Sequence, residues 1–250
     1  MLFDRRAFIV TAAASAATSQ FAIGLGGRSP PKAVAFDGFP IIDPRPVAAR
    51  AEELFPGKGE SLMNAWRTRQ FEYTWLRTLY GKYADFWQTT QDALVFAAGS
   101  LGLALSGDVR DRLMHTYLEL KAWPDVAPAL EQLRAAGIRL AFLSNFTAAM
   151  LDAAVTNAGL KSYFDPHLST DRVRAYKPDP RAYQMALDAW QLSREEVVFC
   201  AAAGWDAAGA KWFGYRTFWL NRSQAAVEEL GVKPDGIGTG MSDLVRFVVG

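Results

Sequence analysis

The stretch Lys32-Ala33-Val34-Ala35-Phe36-Asp37-Gly38-Phe39 decides how the rest of the chain is arranged. Its apolar run ends at one carboxylate, and glycine and proline then disfavour regular structure, so we predict a short buried strand with Asp37 at its carboxyl end. In open α/β sheets the ligand crevice lies at that end of the strands. A desolvated carboxylate fixed there can form an ester as a nucleophile, although a turn or helix-capping aspartate is the simpler interpretation of this residue alone.

The composition narrows the class of protein. The 250 residues are half apolar and carry a net charge of +1, which allows one domain with an insertion, or two domains. This near-neutral balance predicts no nucleic-acid partner. Cys200 is the single cysteine and ends an apolar run, so we predict a core position for it. His115 and His167 lie far from any cysteine cluster, which argues against a zinc site.

The N-terminus has the pattern of an export signal. Asp4-Arg5-Arg6-Ala7-Phe8-Ile9 opens an uncharged run to Leu25, and it resembles a twin-arginine motif with Asp4 where serine or threonine is usual. The run is too weakly apolar for a membrane span. We therefore expect residues 1–31 to be a signal and linker read by the twin-arginine export machinery, with the protein in the periplasm. The alternatives are an amphipathic first helix or a start site placed too early, with a cytoplasmic protein.

A helical insertion follows the first strand. Between about Val47 and Leu120, apolar residues recur at spacings of three and four, as in Leu62, Ala65 and Trp66, and no alternating strand pattern interrupts them. We predict that residues 47–122 form an all-helical cap domain.

Strands alternate with helices after Pro124. We predict helices at 125–136, 147–158, 180–190 and 206–213, and extended segments at 139–143, 164–169, 197–201 and 215–220. Such alternation indicates a parallel sheet covered on both faces. The expected fold class is therefore α/β, with a Rossmann-like core made of residues 32–46 and 123–250 and an inserted helical cap.

Four polar elements follow successive core strands in order: Asp37, Ser144-Asn145, Lys177-Pro178-Asp179 and Asp206. Together they resemble the haloacid dehalogenase superfamily, and the resemblance narrows to its L-2-haloacid dehalogenase (type II) branch. It extends from about Lys32 to the C-terminus, and the longer stretches that carry it are 54–60 (LFPGKGE), 72–77 (EYTWLR), 173–180 (VRAYKPDP) and 204–211 (GWDAAGAK).

This resemblance implies a mechanism that needs no cofactor. Asp37 would attack C2 of an L-2-haloalkanoate and displace halide with inversion, and water would then hydrolyse the aspartyl ester to give a D-2-hydroxy acid. Lys177 would sit beside Asp37, where a cation keeps a carboxylate ionised. Asp206 matches the acid that activates or orients the water.

The resemblance also implies the groups that bind the substrate. Arg67 would meet the leaving halide with Asn145 as a second contact, and Ser144 would bind the substrate carboxylate. Phe39 and Trp205 would line an apolar wall together with Phe71 and Phe86. A solvated helix face is the plain alternative for Arg67, and ordinary core packing is the alternative for the aromatic residues. The family further implies a homodimer.

The same positions argue against a metal-dependent phosphatase. Phosphatases of the superfamily place a second aspartate two residues after the nucleophile, where this chain has Phe39. They also hold magnesium with acids near the last strand, and residues 201–205 (AAAGW) supply none before Asp206. Magnesium prefers oxygen ligands, usually carboxylates and substrate phosphate, so we predict no metal site.

Several positions depart from the branch. Ile41 replaces a threonine, Phe146 replaces a glycine, and residues 201–203 are alanines where Ser-Ser-Asn is usual. Loss of one preorganised donor from an oxyanion-type site costs roughly a hundred- to a thousandfold in rate. Slow ester hydrolysis is one expectation, and a more apolar pocket for another substrate is a second. Another superfamily hydrolase, such as a phosphatase, and a silent member that binds a small carboxylate or a protein partner are the remaining alternatives.

Overall fold

The computed structural model describes residues 30–164 and 166–250. The predicted signal motif and the uncharged run after it lie outside the described residues. Within the described ranges, six strands form one parallel sheet in the order β3-β2-β1-β4-β5-β6. The strands are β1 Ala33–Phe36, β2 Arg139–Ser144, β3 His167–Ser169, β4 Val197–Ala201, β5 Arg216–Leu220 and β6 Gly236–Gly238.

The first strand occupies the middle of the sheet. Phe36 pairs with Phe142 of β2 on one side and with Cys200 of β4 on the other, and every residue of β1 is fully buried. A strand covered on both faces needs a continuous apolar run, which is what the sequence provides. The carboxyl ends of β1, β2 and β4 therefore meet at one edge of the sheet, directly before Asp37, Asn145 and Ala202.

Helices cover both faces of the sheet. Alternate strand residues point into two separate apolar clusters: Val34 and Phe36 into one, Ala33 and Ala35 into the other. The helices of the described residues are α1 Gly38–Ile41, α2 Arg45–Leu54, α3 Gly59–Leu79, α4 Phe86–Ser100, α5 Gly107–Thr116, α6 Val126–Ala135, α7 Ala148–Asn157, α8 Pro180–Trp190, α9 Gly204–Phe213 and α10 Met241–Val249. Helices α6, α7 and α10 pack in the first cluster, and α8 and α9 pack in the second. Within the described ranges, no helix has the length and hydropathy that crossing a membrane requires.

Helices α1 to α6 lie between β1 and β2 in the chain, and α2 to α5 are the four that form the predicted insertion. Where the chain leaves and re-enters the core, Ile42 and Ala122 form an isolated antiparallel bridge. The longest of these helices, α3, packs against α4 through Trp66, whose indole N–H donates to the Thr90 carbonyl at 2.7 Å. This helix carries Arg67.

Three local predictions were wrong or incomplete. Residues Gly38–Ile41 form one helical turn instead of breaking regular structure, because the Asp37 side chain caps the turn and proline is tolerated near a helix start. Helix α9 begins at Gly204 and not at Asp206 as predicted, so Asp206 lies inside its first turn. The short strand β6 and the C-terminal helix α10 were not predicted.

Candidate active site

A cavity of about 650 Å³ lies between the carboxyl edge of the sheet and the inserted helices. Its wall brings together nearly all the predicted site residues: Asp37, Phe39, Arg67, Phe71, Phe86, Ser144, Asn145, Trp205 and Asp206. Lys177 is the exception, because it is fully buried behind Asp37 and does not line the cavity. Residues that follow three strands, β1, β2 and β4, and residues from two inserted helices, α3 and α4, therefore converge on one space.

One ammonium group joins two carboxylates at the base of this cavity. The Nζ of Lys177 donates to Asp37 Oδ1 at 2.7 Å and to Asp206 Oδ2 at 2.6 Å. The other Asp37 oxygen, Oδ2, accepts only a long hydrogen bond of 3.4 Å from the Phe39 N–H. Asp37 is thus anchored through one oxygen, while the second faces the cavity with a weak partner.

Burial and charge act in opposite directions on this cluster. Burial alone would lower the pKa of Lys177, but the adjacent carboxylates of Asp206 and Asp37 outweigh it and raise that pKa. Burial raises the pKa of Asp206 to about 6, against the opposing effect of Lys177. Near neutral pH the cluster accordingly holds an ammonium ion, and Asp206 can change its protonation with a modest change of conditions.

Tyr183 is a member of the cluster that the sequence reasoning missed. Its hydroxyl donates to Asp206 Oδ1 at 2.7 Å, and its carbonyl accepts from the Tyr215 hydroxyl at 2.6 Å. Burial, reinforced by Asp206, raises the pKa of Tyr183 well above its usual range, so it remains a neutral donor. Its position, six residues after Lys177 and on the buried face of α8, was the available signal.

Ser144 and Asn145 end β2 beside the nucleophile candidate. The Ser144 hydroxyl oxygen accepts from the Phe146 N–H at 3.2 Å, and none of the described hydrogen bonds uses the hydroxyl's own proton. Asn145 accepts from the Lys177 N–H at 3.2 Å through its side-chain oxygen, which directs its amide nitrogen elsewhere. A side chain at Gly38 would come within 3.2 Å of the Ser144 hydroxyl, so the glycine permits this close approach.

Arg67 reaches the cavity from α3. Its guanidinium lies 5.9 Å from the centre of the Phe71 ring, and none of the described ion pairs includes Arg67. An arginine on a cavity wall without a carboxylate partner is available to an anion. The sequence allowed two interpretations of Arg67, a contact to the leaving halide and a solvated helix face. Its place in the cavity wall favours the halide contact.

Aromatic rings form much of the remaining wall. Trp205 meets Phe71 at 5.1 Å between ring centres, and Phe146 lies 5.2 Å from Phe39 and 5.5 Å from Phe86. Phe146, noted as a departure from the family, thus completes the apolar wall where a glycine would leave a gap.

The other departures fall in different places. Ile41 and Ala201 are fully buried and do not line the cavity, whereas Ala202 and Ala203 do. Ala203 is also the residue that caps α9, and it offers no side-chain hydrogen bond there. The polar groups missing from the cavity are therefore confined to positions 202 and 203.

A second set of cavity residues also escaped the sequence reasoning. Trp123 lies between two guanidinium groups, 4.6 Å from Arg45 and 4.7 Å from Arg222, and its indole N–H donates to the Phe39 carbonyl at 3.0 Å. Each arginine is paired with a carboxylate, Arg45 with Asp43 at 2.6 Å and Arg222 with Asp125 at 2.8 Å. All of these contacts except the Arg45–Asp43 pair join residues far apart in the chain, so no local sequence pattern predicts the set.

Donor groups suited to a metal ion do not gather in the described part of the chain, where no three histidine, cysteine, aspartate or glutamate side chains converge. The two carboxylates at the base of the cavity, Asp37 and Asp206, both bind the Lys177 ammonium group.

Comparisons with known proteins agree with this geometry. A model of the haloacid dehalogenase-like hydrolase family matches residues 12–214. An (S)-2-haloacid dehalogenase from Pseudomonas sp. (strain YL) is 41% identical over 217 residues, which cover 86% of this chain and 94% of that protein.

Two solved structures are similar along nearly their whole length. The L-2-haloacid dehalogenase RSc1362 is 44% identical with a TM-score of 0.87, over 89% of this chain and all of that one. An L-2-haloacid dehalogenase from Xanthobacter autotrophicus, solved with chloropropionic acid covalently bound, is 34% identical with a TM-score of 0.81, over 88% of this chain and 99% of that one.

Proposed function

The chain belongs to the haloacid dehalogenase-like hydrolases, and we propose that it hydrolyses L-2-haloalkanoic acids to D-2-hydroxy acids through an ester on Asp37. The observation that carries this proposal is the pair of bonds from Lys177 to Asp37 and Asp206 at the base of a cavity whose wall includes Arg67. The relatives that bear the names of L-2- and (S)-2-haloacid dehalogenases support the substrate class.

The first half of the reaction is a displacement. Lys177 holds Oδ1 of Asp37, and Oδ2 attacks C2 of the substrate from the side opposite the halogen, so the configuration inverts. The Oδ2–C2 bond forms as the carbon–halogen bond breaks, and the halide leaves with the bonding electrons toward Arg67 and Asn145. The Ser144 hydroxyl is placed to donate to the substrate carboxylate. Residues 47–122 act as the cap that supplies Arg67 and excludes water.

The second half is ester hydrolysis. Asp206 accepts hydrogen bonds from Lys177 and Tyr183, yet each of its oxygens keeps another lone pair that can accept from water. A water molecule attacks the ester carbon of Asp37 and passes a proton to Asp206. The bond from that carbon to Oδ2 then breaks, and the leaving oxygen takes up the proton that Asp206 had accepted. The regenerated Asp37 carboxyl group loses the second water proton to solvent and returns to the carboxylate.

Halide release from L-2-chloropropionate tests the proposal, with D-2-chloropropionate and p-nitrophenyl phosphate plus magnesium measured beside it. We expect halide from the L acid alone, and none from the Asp37→Asn variant. Phosphate release faster than halide release would replace this proposal with a phosphatase. Binding of L-2-chloropropionate without any reaction would indicate a silent, carboxylate-binding member, an alternative that the alanines at 202 and 203 motivate.

We also propose that two copies associate through the α3–α4 hairpin. Leu79 and Tyr80 at the end of α3 are 81% and 78% exposed, and Leu76, Val95 and Phe96 along the same hairpin are also exposed. Exposed apolar surface of this kind is typical of an interface. Analytical ultracentrifugation should find a dimer that Leu79→Glu converts to monomer; a monomeric parent protein would contradict this proposal.

Export through the twin-arginine pathway to the periplasm is a further proposal, which rests on Arg5, Arg6 and the uncharged run that follows them. A reporter fused to residues 1–31 should leave the cytoplasm, and lysines in place of Arg5 and Arg6 should retain it. A fusion that stays cytoplasmic with both arginines intact would contradict export, and residues 1–31 would then be an amphipathic first helix or the result of a start site placed too early.

A further inference from the structure

The cavity is far larger than the smallest substrates of the proposed reaction. Its volume is about 650 Å³, within the range of roughly 300–1,000 Å³ that encloses drug-sized ligands. A chloropropionate molecule has only a handful of non-hydrogen atoms. Most of this volume is therefore left over once C2 and the carboxylate are bound at Asp37.

The leftover space extends in one direction along α3. Met63, Asn64, Arg67, Gln70 and Phe71 all line the cavity, and this stretch of helix is about 12 Å long at 1.5 Å per residue. Arg67 lies at its middle. Phe71 is the last residue of α3 on the cavity wall, and beyond it Trp75 packs against Trp205 with 5.5 Å between ring centres. The open direction is thus toward Met63.

The walls in that direction form what we call the distal arm, defined by Pro44, Ala48, Met63, Asn64 and Trp123. Four of these five side chains are apolar. The nearby cations, Arg45 and Arg222, each form an ion pair with an aspartate, so neither brings an unpaired charge to the arm. Apolar walls without a free charge favour a neutral hydrocarbon group over a second carboxylate.

Two of this chain's own residues widen the same cavity. Ala202 and Ala203 present methyl groups to it, at positions where larger polar side chains were expected. The small side chains leave more space in the cavity, and their apolar surface gives water no hydrogen-bond partner there. Both effects favour apolar substrate atoms.

We propose that the distal arm binds the alkyl chain of the substrate, so that the preferred substrates are 2-haloacids with a chain of several methylene groups. This inference rests on the proposed dehalogenase activity and specifies its substrate class. The carboxylate and halogen stay at Ser144 and Arg67, and the chain runs past Met63 toward Ala48 and Trp123.

Paired substrates and a matched pair of variants test the distal arm. We expect kcat/KM for L-2-bromohexanoate to exceed that for L-2-bromopropionate about tenfold or more, since each buried methylene contributes about fourfold at most. Ala48→Phe should lower this ratio at least about fivefold by filling the arm. Ala48 and Ala49 are both exposed but only Ala48 lines the cavity, so Ala49→Phe should leave the ratio unchanged. A ratio of one or less in the parent protein, or equal ratios in the two variants, would overturn the inference.

Calorimetric titration of the parent protein with hexanoate and propionate separates this inference from the proposed function. Neither acid carries a halogen, so neither can react. Tighter binding of hexanoate supports the distal arm even if no bromoacid releases halide, an outcome that would overturn only the dehalogenase activity. Equal binding of the two acids together with no halide release would overturn both.

Discussion

A single ammonium group, that of Lys177, serves two carboxylates, and this arrangement links the reactivity of Asp37 to the protonation of Asp206. Asp37 is the partner nearer the cavity, and Asp206 is the more deeply buried one. Removing either partner of a buried charge cluster leaves the others uncompensated. The residues of this cluster therefore act as a unit, and their individual effects on rate will not add.

The raised pKa of Asp206 predicts an acid limit to ester hydrolysis. Asp206 must be ionised to accept a proton from water, and burial raises its pKa to about 6. The Asp37 charge contributes to this rise and is absent in the ester, so the acid limit of hydrolysis should lie below pH 6, and the rate should then drop tenfold for each further pH unit. Stopped-flow measurement of ester decay between about pH 4.5 and 8 checks this. A rate that stays flat over this whole range would mean that Asp206 is not the base.

Arg67 should affect turnover and leave stability alone. Its side chain is exposed and has no ion pair among those described, so Arg67→Ala should leave the melting temperature nearly unchanged. Loss of a charge-assisted contact to a leaving anion should lower kcat about 100- to 1,000-fold. Arg69→Ala on the same helix is the control, because Arg69 pairs with Glu72 and lies outside the cavity wall. Equal turnover in the two variants would return Arg67 to a solvated helix face.

Ala203 is both an uncapped helix start and a cavity residue, so Ala203→Asn should have two effects. The new cap on α9 should stabilise the protein by about 1 kcal/mol, or about 2–4 °C in melting temperature for a chain of this size. The initial burst of halide reports ester formation, and the steady rate that follows reports ester hydrolysis. The new amide should raise the steady rate more than the burst. Thermal melts and rapid-quench kinetics measure the two effects. Unchanged rates beside a higher melting temperature would limit the introduced amide to capping the helix, and a burst and steady rate that rise in parallel would contradict a specific effect on ester hydrolysis.

At the scale of elements, the tip of the α3–α4 hairpin is latched to the segment that precedes Lys177. Tyr83 donates a short hydrogen bond to Asp171 and stacks 5.1 Å from Tyr176. The Tyr176 N–H donates to Thr78 at 3.0 Å and its hydroxyl to the Ala84 carbonyl at 2.5 Å. One set of contacts thus links the helix that carries Arg67 to the residue next to Lys177.

Tyr83→Phe should weaken this latch without touching the cavity. We expect a loss of about 1.5–3 kcal/mol in the free energy of unfolding, from one hydrogen bond to a charged group. We also expect a severalfold lower kcat, because Lys177 and Arg67 would lose their common anchor. Tyr163→Phe is the control, since Tyr163 lies outside the hairpin and none of the described hydrogen bonds uses its hydroxyl. An unchanged kcat alongside a lower melting temperature would mean that the latch holds the hairpin but not Lys177.

At the scale of the whole molecule, the elements that could be predicted from the sequence are those marked by a continuous apolar run or a clear helix start. The predicted bounds of β1, β4 and α8 match the structure, because buried apolar runs and a proline at a helix start leave few alternatives. The C-terminal strand β6 could not be predicted, because its three residues, Gly236–Gly238, contain one apolar side chain.

The residues of the candidate site likewise fall into those that the sequence predicts and those that it does not. Residues at strand ends, such as Asp37 and Asn145, follow from the position of the strands. Tyr183 and Trp123 do not, because an aromatic side chain is most often part of the core, and their contacts with Asp206 and Phe39 join residues far apart in the chain. Only the packed fold brings such pairs together.

The most direct test of the central claim, that Asp37 becomes an ester, is mass spectrometry of the protein quenched soon after mixing with L-2-chloropropionate. We predict a protein heavier by one propionate ester, mapped to the peptide that contains Asp37 and absent from Asp37→Asn. The adduct should form with the burst of halide and decay at the steady rate. Halide released without any adduct on that peptide, or an adduct that persists in Asp37→Asn, would contradict the account.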